Sequence, residues 1–196
     1  MIRFFDFIFS FFGLLILSPI IMILWLIGFF DTGVPIFDQE RVGKNKKSFK
    51  LYKFRSMHVN TKSVATHLAK SCSVTKYGAF LRKSKLDELP QLFNVLLGDM
   101  SLVGPRPNLF NQEELISERN KRGVYSVRPG ITGLAQINKI DMSTPQLLVE
   151  MDIKMIHEFS TLNYFKYIFL TVFGKGFGDR IKKESENSKS DISNLF

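Results

Sequence analysis

Lys83-Ser84-Lys85-Leu86-Asp87-Glu88-Leu89-Pro90-Gln91-Leu92-Phe93-Asn94-Val95-Leu96-Leu97-Gly98 is the stretch around which the chain is organised. Two adjacent carboxylates precede a proline and an apolar run, and a glycine closes it. Proline is accepted only in the first turn of a helix, so a helix is predicted to start close to Asp87–Pro90. Gly98 is a natural stop. Unpaired N–H groups and the dipole favour negative charge at a helix start. A carboxylate held ionised there can act as a nucleophile or a metal ligand. Successive helical residues point about 100° apart, so Asp87 and Glu88 cannot duplicate each other's role. Arg82, Lys83 and Lys85 make the approach basic. The plainer alternative is that the pair only caps a helix.

The 196 residues leave room for one domain with a real core. A net charge of +9 points to an anionic partner: nucleic acid, anionic lipid or a phosphorylated substrate. Twenty phenylalanines are unusual for a freely soluble basic protein. A single cysteine, Cys72, excludes an internal disulfide and fits a reducing compartment. His58, His67 and His157 are scattered, so no zinc pattern emerges.

Phe4 to Phe30 is nearly all apolar, with Asp6 as its only charge. As a straight helix it would run roughly 40 Å, more than the ~30 Å hydrocarbon core. It is too long for a signal peptide and has no small-residue cleavage site after it. Ser18-Pro19 interrupts its centre, and each half is too short to span alone. Two readings stand: a kinked spanning helix, or a helix that enters one leaflet, turns at Ser18-Pro19 and leaves on the same side. Arg3 precedes the stretch, and Arg41, Lys44, Lys46, Lys47, Lys50 and Lys53 follow it, which suits a cytoplasmic location for both flanks.

Beyond the turn signals Asp31-Thr32-Gly33 and Val34-Pro35, Ile36–Arg41 and Phe49–Arg55 read as a basic hairpin around Gly43–Lys47. Lys53 and Arg55 alternate onto one face, either as a solvated surface or as phosphate contacts. Thr61–Thr75 is a polar loop or short helix. Thr75 can cap a helix through Arg82, bringing Arg82 beside Asp87. In Gly104-Pro105-Arg106-Pro107 the two prolines hold Arg106 in a stiff, extended turn that suits a bidentate fork on phosphate. Asn111–Arg122 is expected to be a solvated helix. Arg128 in Val127-Arg128-Pro129-Gly130 repeats the theme of a basic residue in a rigid turn. Ser143 or Thr144 should cap a helix carrying Leu147, Leu148, Met151, Met155 and Ile156 as packing residues. Tyr164–Phe173 is too short to span, and belongs to the core or to the headgroup layer. Residues 179–196 are expected to be a disordered tail.

Four long motifs in fixed order carry a resemblance: Lys53-Phe54-Arg55-Ser56-Met57, Leu86–Val95, Gly98–Pro107 and Pro129–Gln136. With them the chain resembles the monotopic phosphoglycosyl transferases, the bacterial sugar transferase family, over nearly its whole length. The resemblance implies transfer of sugar-1-phosphate from a UDP-sugar to undecaprenyl phosphate, with Mg²⁺ and release of UMP. This would be the first membrane step of an O-antigen, capsule or glycoprotein glycan pathway. It implies a re-entrant helix broken at Ser18-Pro19 and a location on the cytoplasmic face of the bacterial inner membrane, and leaves a homodimer open. Asp87 would be the nucleophile, Glu88 would position metal or move protons, and Asp87 and Glu88 would hold Mg²⁺. Arg82, Arg106 and Lys53 would hold phosphates, with Arg55 and Arg128 as further candidates.

The expected fold is α+β and predominantly helical: a membrane helix over 1–33, a small catalytic domain with a short β-hairpin over 34–178, and a tail over 179–196. Lys85 stands where many relatives have Ser, and Leu134 where Trp is frequent. Ile137–Pro145 is shorter than the common version, and Lys154 and Met155 replace aromatics. These departures bear on sugar specificity. Two other classes compete: a non-catalytic membrane-tethered basic module, and a nucleic-acid binder, for which no motif is present.

Overall fold

The computed structural model describes residues 1–59, 61 and 73–173. The tail expected at 179–196, most of the polar segment Thr61–Thr75, and with it His67 and Cys72, lie outside the described residues. The architecture is α+β and mostly helical, with a two-stranded antiparallel hairpin and a separate two-stranded parallel pair.

Helix α1 (Ile2–Thr32) is long and apolar enough to cross a membrane. Its sequence nevertheless carries polar or small residues at Arg3, Asp6, Ser10, Gly13, Gly28 and Asp31, spaced to share one face. That face docks on the rest of the protein along its length. Arg3 donates to the carbonyls of Val95 and Leu96. Asp6 Oδ1 accepts from Leu102 N at 2.9 Å, Tyr164 OH at 2.9 Å and Ser101 Oγ at 3.0 Å. Burial, and then the Asp6 carboxylate, push the Tyr164 hydroxyl well above its usual range, so it stays protonated and donates. Nearer the C-terminal end, Leu24 packs with Phe54 and Leu81, its carbonyl accepts from Tyr77 OH at 2.7 Å, and Asp31 Oδ2 accepts from Thr75 Oγ1 at 2.7 Å. The opposite face exposes Phe4, Phe11, Leu15, Ile16, Met22 and Phe30.

Helical structure continues through Ser18-Pro19, the position at which the sequence places a break. Pro19 has no N–H to give the carbonyl of Leu15, four residues back. Ser18 Oγ donates to that carbonyl at 2.8 Å. One hydrogen bond is thus substituted and the helix is not interrupted.

Strands β1 (Ile36–Val42) and β2 (Ser48–Phe54) pair antiparallel from Ile36↔Phe54 to Val42↔Ser48, as the alternation predicted. Helix α2 (Lys76–Ser84) starts at Thr75, whose Oγ1 accepts from Gly78 N at 2.8 Å. Helix α3 (Gln91–Leu97) ends at Gly98, whose φ of 98° is left-handed and favours glycine. Buried Asn94 joins α3 to the outer edge of β2, accepting from Tyr52 N at 3.0 Å and donating to Lys50 O at 2.6 Å. Leu51, Val95 and Met100 fill the space between them.

Strands β3 (Ser101–Val103) and β4 (Gly130–Thr132) run parallel. They approach so closely that a Cβ on Gly130 would lie 2.0 Å from Gly104 N. Helices α4 (Glu113–Lys121), α5 (Leu134–Ile137) and α6 (Pro145–His157) close over a cluster of Leu115, Val124, Ala135, Leu148 and Val149. Thr144 occupies the cap of α6 without a side-chain cap bond, and Pro145 opens the helix. Helix α7 (Thr161–Val172) splits the two readings of its sequence. Tyr164 and Tyr167 are core, whereas Phe169 and Val172 are exposed.

Asp6→Leu leaves three donors without their acceptor, each worth roughly 1–3 kcal/mol when buried. Denaturation in detergent should show a loss of at least about 2 kcal/mol, whereas Phe7→Leu on the exposed face should stay within about 0.5 kcal/mol of the parent.

Candidate active site

Asp87 and Glu88 lie in a 3-10 turn, Leu86–Glu88, and not in α3 itself. Helix α3 itself begins at Gln91 with Pro90 as its cap, at the edge of the predicted start. Lys85, at φ 59°, ends α2 in the left-handed region and redirects the chain. Glu88 N then reaches Lys85 O at 3.3 Å and Leu89 N reaches Leu86 O at 3.2 Å, which tightens the turn. Both acidic residues are buried by this turn.

Glu88 gathers the site. Its Oε1 accepts from Lys53 Nζ at 3.2 Å and from Arg106 Nη2 at 2.6 Å. Lys53 comes from β2 and Arg106 from the segment after β3, so three stretches distant in sequence meet on one oxygen. Lys53 and Glu88 are both buried, and Arg106 is mostly so. A buried carboxylate in this setting requires cationic hydrogen-bond donors, and Lys53 and Arg106 supply them.

The other predicted basic residues have separate engagements. Arg82 donates from Nε to Ser56 Oγ at 2.8 Å, beside the end of β2, while its buried Nη1 has no acceptor among the described residues. Arg55 donates from Nε to Val34 O at 2.9 Å and lies over the Phe37 ring at 5.3 Å. It follows Lys53 on the hairpin, but the structure does not bring it to Glu88. Arg128 donates from Nε to Gly98 O at 2.8 Å, bracing the end of α3.

Sequence reasoning missed what lies beneath Arg106: Asn111–Arg122 is solvated as expected at Glu113 and Glu114, but the reading fails at Leu115 and Arg119, which are buried. Arg119 in α4 is 2% exposed. It donates to Asp152 Oδ2 from Nε at 3.0 Å and from Nη2 at 2.7 Å. Its Nη1 donates to Arg106 O at 2.8 Å and to Asn108 Oδ1 at 2.9 Å. Burial pushes the Asp152 carboxyl above its usual value, and the Arg119 guanidinium opposes that. A signal was available. Leu115 and Arg119 are four apart, and Leu148, Asp152 and Met155 share a helical face, so each ion stands on an apolar stripe.

Among the described residues, no group of three or more His, Cys, Asp or Glu is placed to hold a metal. Asp87 and Glu88 offer two carboxylates, and Glu88 Oε1 already faces two cations. This donor set does not fit a metal caged by protein. It fits a hard cation such as Mg²⁺ that completes its shell with phosphate oxygens and water.

A family model described as bacterial sugar transferase matches residues 1–176. The UDP-glucose:undecaprenyl-phosphate glucose-1-phosphate transferase of Escherichia coli (strain K12) is 44% identical over 176 residues, covering 84% of this chain and 37% of that protein. The undecaprenyl-phosphate galactose phosphotransferase of Salmonella typhimurium is 39% identical over 162 residues, covering 72% of this chain and 34% of that protein. The chain thus spans little more than a third of the length of these relatives. The exopolysaccharide production protein PSS of Rhizobium leguminosarum bv. phaseoli is 38% identical over 196 residues, covering 89% of this chain and 97% of that protein.

Asp152→Ala strands the buried Arg119 charge, which should cost roughly 3–5 kcal/mol in urea denaturation in detergent. The double replacement Arg119→Met/Asp152→Leu removes both charges together. It should cost clearly less than the single one.

Proposed function

The chain belongs to the bacterial sugar transferase family, and from that premise we propose that it transfers a sugar-1-phosphate from a UDP-sugar to undecaprenyl phosphate and releases UMP. The observation that carries this reading is a buried acidic pair whose Glu88 is clamped by Lys53 and Arg106. Such a group suits a diphosphate: fixed positive charge for the oxygens, with a carboxylate adjacent to attack phosphorus. Asp87 attacks the phosphorus that bears the sugar, and the bond from that phosphorus to the UMP oxygen breaks. The lipid phosphate then attacks the same phosphorus and frees Asp87. Lys53 and Arg106 offset charge on the phosphoryl oxygens, and the unspent Nη1 donor of Arg82 suits a further oxygen. Mg²⁺, held by Asp87 and Glu88 together with the diphosphate, would supply additional charge neutralisation.

The placement of α1 supports the membrane part of this reading. Arg3 and Asp6 at one end, and Leu24 and Asp31 at the other, all bond to the same body. A helix so held keeps both ends against one body on the same side of a bilayer and offers its exposed aromatic face to lipid. We place that body on the cytoplasmic face of the bacterial inner membrane, where the UDP-sugar and the lipid phosphate meet.

Two tests follow from this reading. With UDP-sugar and Mg²⁺ but no lipid acceptor, a panel of UDP-sugars should include one that gives a UMP burst no larger than the enzyme concentration. A ³²P label in the β-phosphate should then remain on the peptide containing Asp87. Asp87→Asn should abolish burst and turnover together. UMP release that strictly requires lipid phosphate would make the transfer direct and Asp87 no nucleophile. For topology, a cysteine placed just ahead of Met1 in a Cys72→Ser background should resist impermeant thiol reagents in intact cells. It should react after permeabilisation, and labelling of intact cells would mean that the helix spans.

A further inference from the structure

We propose that Arg119 and Asp152 are positioning residues for Arg106, and through it for the grip on the diphosphate. This rests on the transfer reading above.

Arg106 lies in an irregular segment, and the residues on either side of it are prolines. Neither Pro105 nor Pro107 has an N–H, so the segment cannot be fixed by donating from those positions. It is fixed instead through its carbonyls. Pro105 O accepts from Gly130 N at 2.9 Å. Arg106 O accepts from Arg119 Nη1 at 2.8 Å. Pro107 O accepts from Arg41 Nη1 at 3.2 Å, and Asn108 O from Val42 N at 3.0 Å. Four consecutive carbonyls are therefore held from β4, α4 and β1. The donor at the residue that carries the fork is supplied by the buried Arg119–Asp152 ion pair.

Arg119 is itself immobilised. Two of its nitrogens rest on Asp152 Oδ2, and the third bridges Arg106 O and Asn108 Oδ1. Tyr125 OH also donates to Asn108 Oδ1, at 3.0 Å. Arg119 and Asp152 are 2% and 1% exposed. An apolar pair of similar volume would serve stability as well or better. Only a planar guanidinium donates in these fixed directions at once, and a lysine ammonium does not reproduce them. The consequence falls on Arg106. With its carbonyl held from below, its side chain is delivered to Glu88 Oε1 at 2.6 Å. A shift of about 1 Å in a group that orients the reacting phosphate is enough to cost a large factor in rate.

The test is a double-mutant cycle. R119K keeps the buried charge beside Asp152, and R119M/D152L removes both ions. Each is made with and without R106A. Three quantities are read: melting temperature in detergent, UMP release from a UDP-sugar that the parent protein turns over, and the dissociation constant for UDP itself. R119K should melt close to the parent, lower UMP release about tenfold and weaken UDP severalfold. In the R106A background it should change either quantity less than twofold. R119M/D152L should show the same dependence on Arg106. Equal losses in both backgrounds, or parent-like turnover and UDP binding in a folded R119K, overturn the proposal. A parent protein that binds UDP yet releases no UMP defeats the transfer reading alone, and the UDP cycle still decides the positioning role. A parent protein that does not bind UDP overturns both.

Discussion

One buried oxygen, Glu88 Oε1, sets the arrangement of the protein around it. An ionised carboxylate removed from water costs several kcal/mol unless cations and hydrogen bonds replace its hydration. Glu88 meets that requirement with Lys53 and Arg106. Neither is near it in sequence, so β2, the Leu86–Glu88 turn and the segment after β3 have to converge. The supporting contacts serve that convergence. Asn94 pins β2 to α3, Arg128 braces the end of α3, and Arg119 carries the Arg106 carbonyl. The cations of Lys53 and Arg106 and the Asp87-Glu88 pair are thereby placed together by one electrostatic constraint.

The apolar helix obeys a second constraint. Backbone and side-chain polar groups in an apolar setting must be satisfied internally. Asp6 and Arg3 would be costly on a helix surrounded by lipid. They are placed where three donors and two carbonyls await them. Ser18 answers the same demand within the helix, supplying the donor that Pro19 lacks. The helix is thus part of the folded body on one face and available to lipid on the other. In the proposed reaction this arrangement puts the acidic pair within reach of a phosphate held at the bilayer surface.

Much was legible in the sequence because it depends on neighbours a few residues apart. The hairpin follows from alternation about a basic turn, the start of α2 from Thr75, and the end of α3 from Gly98. Residue chemistry and motif order singled out the acidic pair, Lys53 and the Pro105-Arg106-Pro107 turn, and the structure brings Lys53 and Arg106 onto Glu88. Helix α3 opens directly after Pro90, as the proline rule requires; what left only weak traces in composition is the left-handed Lys85 and the 3-10 bonding that set the acidic pair in the turn before it.

The sequence by itself determined the local elements, the apolar character of α1 and which acidic and basic residues stand in the motifs. Those properties come from backbone preferences and side-chain chemistry acting over one or two turns. The tertiary structure alone decided which cation serves which carboxylate. Lys53 and Arg55 are two residues apart, yet one reaches Glu88 and the other a backbone carbonyl. Arg119, read as solvated, became the most enclosed charge on α4 because Asp152 approaches from another helix. Hydrogen bonds and ion pairs between distant segments depend on distances of a few tenths of an ångström, and only the packed chain sets those distances.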